Sequence, residues 1–210
     1  YSSAASDVYK RQVYWLVGSL GQQMSGQTMA VIGIVILGTV LVWAARVATE
    51  ERFTRVAEFV LSFATAQEVV WGKFLSVVAV GICQLCVLGV LGYAAGVEML
   101  PMLVPTAVGC AFLVALGLTL AFWARSEAHL HGMLTLALFC LFGGVVLAAW
   151  REVVPLLAVV PLWMPVAALW SAEGQSWRMV LGEVLTLGLT VGLLRRAALG
   201  LRRSVAAGER

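Results

Sequence analysis

The chain has 210 residues, of which 61% are hydrophobic and only 12% are charged. A soluble domain is roughly half apolar and about a quarter charged. This chain is more apolar and less charged than that, as expected for a protein whose surface is largely covered by lipid. The formal net charge of +3 comes without a basic stripe, so a nucleic-acid partner has no support and none is predicted. We therefore predict an all-α fold, a polytopic bundle of transmembrane helices in a lipid bilayer.

The first residues match nothing that follows them. Residues 1–12 have neither an initiator Met nor the apolar core of a signal peptide. We predict that they are a non-native, adapter-derived leader and that the chain is a fragment truncated at its N-terminus. Residues 13–27 are then predicted to be the end of an external region.

Several apolar stretches are long enough to cross a bilayer, which takes about 20 residues. We predict a transmembrane domain over residues 28–203, followed by a cytoplasmic tail over residues 204–210. Five spans are predicted in it, at about residues 28–45, 74–97, 101–124, 128–150 and 177–195.

A further apolar stretch, residues 153–172, contains three prolines, each of which removes a backbone donor from a helix. Lys and Arg mark the cytoplasmic side of a membrane protein, and four of them lie in 46–73 while five follow Leu194. Both regions are therefore predicted to be cytoplasmic, and an even number of crossings must separate them. The number of crossings is even only if residues 153–172 do not cross the membrane. We therefore predict a broken, re-entrant segment there.

Between the first two spans lies a region that is both charged and amphipathic, residues 48–73, which we call the charged segment. Glu51 and Arg55 are spaced i,i+4 with the acid first, the favourable order on a helix. Apolar residues recur on the other side at intervals of three and four, as on an amphipathic helix: Val56, Phe59, Val60 and Phe63.

This pattern predicts a cytoplasmic amphipathic helix over residues 50–63, a turn at 64–67, and re-entry into the membrane at Gly72 and Lys73. Periodicity by itself leaves two interpretations open. The helix docks a soluble protein, or the segment is a solvated loop with an apolar side against lipid.

The charged segment also resembles the signature of a known family. The residues that carry the likeness are Glu50-Glu51-x-x-x-Arg55-Val56-x-Glu58-x-x-Leu61-Ser62, Gly72-Lys73, Gln84, Ser126-Glu127 and Pro161-Leu-Trp-Met-Pro165. In their order and spacing between apolar runs they resemble type-2 ABC exporter permeases, and most closely the sodium-efflux-type branch. The resemblance covers most of residues 28–200.

The resemblance implies a function and an architecture. Such permeases have six spans, so one span and an external domain would precede this fragment. The helix between their second and third spans is a coupling helix, which docks into the ATP-hydrolysing subunit. Carried over to this chain, the ATPase-coupling residues would be Glu50, Glu51, Arg55, Glu58, Leu61, Ser62 and Glu68, and membrane re-entry would be marked by Gly72 and Lys73.

On this interpretation the chain is a transporter subunit for efflux and not an enzyme. It contains no Gly-x-x-x-x-Gly-Lys-Ser/Thr loop, so ATP and Mg²⁺ would belong to a partner ABC ATPase, and this chain would bind no cofactor or metal. A second permease copy, identical or paralogous, would complete the pathway. The expected location is a prokaryotic plasma (inner) membrane, with several passes.

Two other interpretations compete. Glu50-Glu51-x-x-x-Arg55 also fits the first motif of an intramembrane metalloprotease, whose chemistry needs histidines on other helices. The two histidines here, His129 and His131, are two positions apart and therefore on different helix faces. The second alternative is a membrane anchor or assembly protein that transports nothing.

Two kinds of residue within the apolar stretches remain. Glu183 is the acid that falls inside a predicted span, and an acid in that environment is a candidate for a substrate path; a structural pairing with Arg178 is the alternative. Cys83 and Cys86 have the spacing of a redox or zinc pair, but they lack a second ligand pair. We expect all four cysteines to be small apolar fillers.

Overall fold

The computed structural model describes residues 26–53, 56–94, 100–148 and 177–208, and within these ranges the chain is helical and contains no strand. This confirms the all-α prediction. The helices, numbered in chain order, are α1 (Gly26–Phe53), α2 (Val56–Leu61), α3 (Ala66–Ala94), α4 (Leu100–Trp123), α5 (Glu127–Ala148) and α6 (Trp177–Gly208).

Four of these helices are long and apolar enough to cross a bilayer. Their apolar windows are Ile32–Glu50 in α1, Ala66–Ala94 in α3, Val104–Trp123 in α4 and Val180–Arg203 in α6. The chain is therefore a multi-pass α-helical membrane protein. Helix α5 coincides with the predicted span at 128–150, but its apolar part, Glu127–Gly143, is shorter, so its crossing stays a prediction.

Helix α4 lies at the centre of the bundle and packs against α1, α3 and α6. Its window is 61% buried, against 28% for that of α3. Leu41 of α1, Leu118 of α4 and Leu194 of α6 are fully or almost fully buried in the shared core. The large apolar side chains left exposed on α3 and α6, such as Val90 and Val184, are those a lipid solvent would cover.

Helices α1, α3 and α6 extend beyond the predicted spans; α6 continues to Gly208, whereas its span was predicted to end at 195. The first span was predicted to end at residue 45, but α1 continues to Phe53, and an exposed i,i+4 ion pair between Arg46 and Glu50 lies in these added turns. The second was predicted to start at residue 74, but α3 begins at Ala66. Hydropathy indicates where the apolar part of a helix ends, whereas the backbone hydrogen bonding of that helix can continue beyond it.

The amphipathic helix predicted over 50–63 falls on two of the described helices. Residues 50–53 are the last turn of α1, and the separate short helix α2 is Val56–Leu61. The predicted turn at 64–67 lies slightly earlier, over Ser62–Thr65. At the other end of the chain, residues 204–208 of the predicted tail continue α6.

The remaining predictions about segments fall largely outside the described residues. These are the leader at 1–12, the external region at 13–27 except for its last two residues, and the re-entrant segment at 153–172.

Candidate functional site

Most of the described charges gather at one end of the bundle, which we call the charged end: Arg46–Lys73, Trp123–His131 and Arg195–Arg203. Contacts between helices place these stretches together. The Lys73 ammonium lies 3.4 Å from the backbone oxygen of Val47 and donates to it, which joins the start of α3 to the end of α1. The Trp123 indole N–H donates to the backbone oxygen of Arg196 at 2.9 Å, which joins α4 to α6.

At the end of α1, Glu50 is held by its own helix. Its Oε1 accepts from the Nε of Arg46 at 3.1 Å, and both side chains are exposed. Of the other predicted coupling residues in this stretch, Glu51 continues α1 and Glu58 lies in α2, but their side chains, like the whole of Arg55, lie outside the described part of the chain.

Two exposed aromatic rings lie in the last turn of α2 and in the turn that follows it. Phe59 and Phe63 are 67% and 79% exposed, and their ring centroids are 5.1 Å apart in an edge-to-face arrangement. Leu61, on the other side, packs against the core. The Ser62 hydroxyl donates to the backbone oxygen of Phe59 at 2.6 Å and closes the turn. The turn thus presents an apolar pair outwards, where water or a partner meets it.

The start of α3 is a capping box formed by Thr65 and Glu68. The Glu68 carboxylate accepts from the Thr65 backbone N–H at 2.7 Å and from the Thr65 hydroxyl at 2.8 Å. In return, the Thr65 hydroxyl accepts from the Glu68 backbone N–H at 3.3 Å. Because these bonds satisfy N–H groups that a helix start leaves open, they explain why α3 begins at Ala66.

The predicted re-entry residues lie in the second turn of α3. Gly72 faces open space, whereas Lys73 is only 8% exposed. A buried ammonium needs oxygen acceptors to offset the loss of its water, and the Val47 carbonyl supplies one. Lys73 therefore ties the charged segment to α1, a role that its position in the sequence alone did not indicate.

The structure thus divides the predicted coupling residues. Leu61, Ser62 and Glu68 belong to one unit, formed by α2, its turn and the first turn of α3. Glu50 instead belongs to the spanning helix α1.

Sequence reasoning missed the junction of α4 and α6. Beside the Trp123–Arg196 hydrogen bond, the Arg203 guanidinium carbon lies over the Trp123 ring, 5.1 Å from its centroid, a cation–π contact. Gly200 makes the approach possible, since a Cβ there would lie 2.8 Å from the indole. The available signal was a tryptophan at the end of an apolar run, a residue typical of membrane interfaces.

Helix α5 begins with another cap. The Ser126 hydroxyl accepts from the His129 backbone N–H at 3.2 Å, and Nδ1 of His129 accepts from the Arg125 backbone N–H at 3.3 Å. His131 is exposed on the same turn. Through these hydrogen bonds His129 stabilises the start of α5 at the charged end.

Glu183 lies in the first half of α6, away from the charged end. Its Oε1 is buried, and no hydrogen-bond donor reaches that atom within the described residues. One and two turns further on, the buried hydroxyls of Thr186 and Thr190 donate to backbone oxygens of their own helix. Glu183 therefore heads a polar strip on an otherwise apolar helix; the side chain of Arg178, its predicted partner, is outside the described part.

Within the described ranges, no three His, Cys, Asp or Glu side chains come together as a group that could hold a metal ion. The four cysteines are free, and Cys110 fills a buried position beside Gly81. Comparison of the chain with protein families, curated proteins and solved structures finds no match. Fold and composition together define the class: a polytopic α-helical membrane protein with a charged end built around a short amphipathic helix.

Proposed function

We propose that this chain is the permease subunit of an ATP-driven ABC exporter, in which a separate ATPase subunit hydrolyses ATP with Mg²⁺. The observation that carries the proposal is the unit of α2, turn and α3 between two membrane-spanning helices. It presents the exposed Phe59–Phe63 pair beside a run of charged residues, as a surface that docks a soluble protein requires: apolar area within a polar surround.

The way this unit is attached suits it to transmit movement. The Thr65–Glu68 capping box makes the turn continuous with α3, and the Lys73 contact links α3 to α1. A push on α2 would therefore reach both helices as a rigid-body displacement, the kind of two-state element that alternating access needs. A second permease copy would face this one across the pathway in a prokaryotic plasma membrane.

The polar strip of α6 is the part of the chain that we assign to the substrate path. An acid within a span is a functional candidate, and Glu183 has a buried oxygen with no donor among the described residues. The proposal does not name the substrate, since the exposed walls are generic aliphatic side chains.

The decisive experiment is co-expression with a cognate ABC ATPase, purification through this chain, and reconstitution. We expect the ATPase to co-purify, and Glu58→Lys to leave ATP hydrolysis and membrane insertion intact while substrate transport falls by about tenfold or more, the effect of reversing one charge in a docking surface.

Glu127→Lys is the matched control, because Glu127 is an exposed acid at the same charged end but on α5. It should transport normally. If no ATPase co-purifies with this chain, the alternative of a membrane anchor or assembly protein is favoured. Cleavage of a membrane-embedded substrate in a chelator-sensitive manner would favour the protease. Unchanged transport by Glu58→Lys would refute the coupling role of that residue.

A further inference from the structure

We propose that the charged end of α6 is a binding site for the phosphate headgroup of an anionic phospholipid. The site, which we call the arginine cluster, consists of Arg195, Arg196, Arg202 and Arg203 around Leu199, with Trp123 at its edge. It is separate from the α2–α3 unit, and the inference does not depend on the ATPase partner.

The four arginines share one side of α6. At about 100° per residue they fall within roughly a third of the helix circumference, and all four are exposed. The buried residues of the same stretch, Leu194, Ala197 and Leu201, lie on the opposite side. In the middle of the basic arc is Leu199, which is 50% exposed.

Trp123 holds one edge of the cluster in place. Its indole N–H is bonded to the Arg196 backbone oxygen, and its ring lies under the Arg203 guanidinium. A guanidinium held against an aromatic face keeps its in-plane N–H donors free for a second, bidentate partner. The contact therefore preorganises Arg203, so that less side-chain entropy is lost when an anion binds.

Nothing within the described part of the chain neutralises these charges. The ion pair found there joins Arg46 to Glu50 on α1, and no described carboxylate pairs with an arginine of the cluster. A phosphate is the anion whose geometry matches several guanidinium groups at once.

The position of the cluster selects a lipid phosphate over a phosphate free in water. Arg195, Arg196, Arg202 and Arg203 lie in the last turns of the candidate span Val180–Arg203, where a helix passes the headgroup layer. Clusters of bases directly at the end of a span are typical of anionic-lipid sites. Leu199, exposed among the bases, offers apolar contact that an acyl chain or glycerol backbone can use and that inorganic phosphate cannot.

The test is lipid retention by the purified full chain. The protein in detergent receives equal amounts of phosphatidylglycerol and phosphatidylcholine with identical acyl chains, and native mass spectrometry counts the lipids that remain bound. We expect phosphatidylglycerol to be preferred by at least about tenfold, and Arg203→Gln to reduce that preference about fivefold, the weight of one base at a membrane surface. Arg196→Gln combined with Arg203→Gln should bring it close to parity.

Arg46→Gln is the control, because it removes the same charge from an exposed site on α1; it should keep the preference for phosphatidylglycerol. Excess inorganic phosphate should not displace the lipid. Complete displacement by phosphate would mean a site for free anions and would overturn the lipid assignment. Equal retention of both lipids by the unmodified protein, as expected if the cluster instead docks an acidic protein, would also overturn it, as would an equal loss in Arg46→Gln.

Discussion

Thr65 and Glu68 decide where α3 starts, the helix with the longest apolar window in the described part of the chain. Their reciprocal hydrogen bonds satisfy the open N–H groups of the first turn of α3. The letters Thr-x-x-Glu before an apolar run are a recognisable capping signature, so this feature was available in the sequence. The family resemblance instead implies that Glu68 is an ATPase-coupling residue. The two roles are compatible, but only the capping role is supported by hydrogen bonds in the structure.

Thr65→Ala should therefore lower the free energy of unfolding by about 1 kcal/mol, the usual cost of losing an N-cap hydroxyl. Thr65→Ser keeps the hydroxyl and should change stability much less. Unfolding in mixed detergent, followed by circular dichroism, measures both. Equal stabilities of the alanine and serine variants would show that the hydroxyl does not stabilise this helix start.

At the scale of elements, close packing in this bundle depends on particular glycines. Gly117 of α4 faces α1 so closely that a Cβ would lie 2.6 Å from the Leu41 backbone oxygen and 3.1 Å from the Ala44 Cβ. Helices in lipid associate mainly through such intimate backbone contact, for which small residues are required. Composition showed that the chain is rich in glycine, but not which glycine lies at a crossing.

Gly117→Ala should push α1 and α4 apart and destabilise the protein by about 1–3 kcal/mol, the range for overpacking a tight site. Gly192→Ala is the matched control, since a Cβ at Gly192 meets nothing within 4 Å. That change should be neutral or stabilise α6 by up to about 1 kcal/mol, because alanine favours helix. Detergent-unfolding midpoints compare the two; a larger loss in the control would contradict the crossing.

For the molecule as a whole, the question is which side of the membrane carries the charged end. The structure joins the charged segment to the arginine-rich end of α6 through α4, so both belong to one side. The even number of crossings predicted from the count of bases stays a prediction.

Cysteines introduced one at a time at Thr54, Arg151 and Ser171 test this topology against an impermeant thiol reagent. The background protein lacks the four natural cysteines. Thr54 should react only in opened membranes, because the bases around it keep it in the cytoplasm. Arg151 and Ser171 should both react in intact cells, because the first precedes and the second lies near the end of a segment that is predicted not to cross the membrane. Labelling of Thr54 from outside, or of only one of the other two, would exclude the predicted topology.

The all-α fold and the presence of several membrane-spanning helices could be predicted from the sequence, because both depend on local composition: lipid demands about 20 apolar residues, and a helix face repeats every three to four. Helix ends were harder to predict, since the backbone hydrogen bonding of α1 continues past its apolar run to Phe53 and a cap at Thr65 starts α3 before the predicted span.

Only the tertiary structure placed Lys73 under the Val47 carbonyl, Trp123 between Arg196 and Arg203, and Gly117 against Leu41. These contacts depend on the register between two packed helices. That register is set by residues that lie far apart in the chain. The sequence determined that this is a membrane bundle with a charged end. The packing of its helices decided which of those charges take part in contacts between helices and which remain exposed.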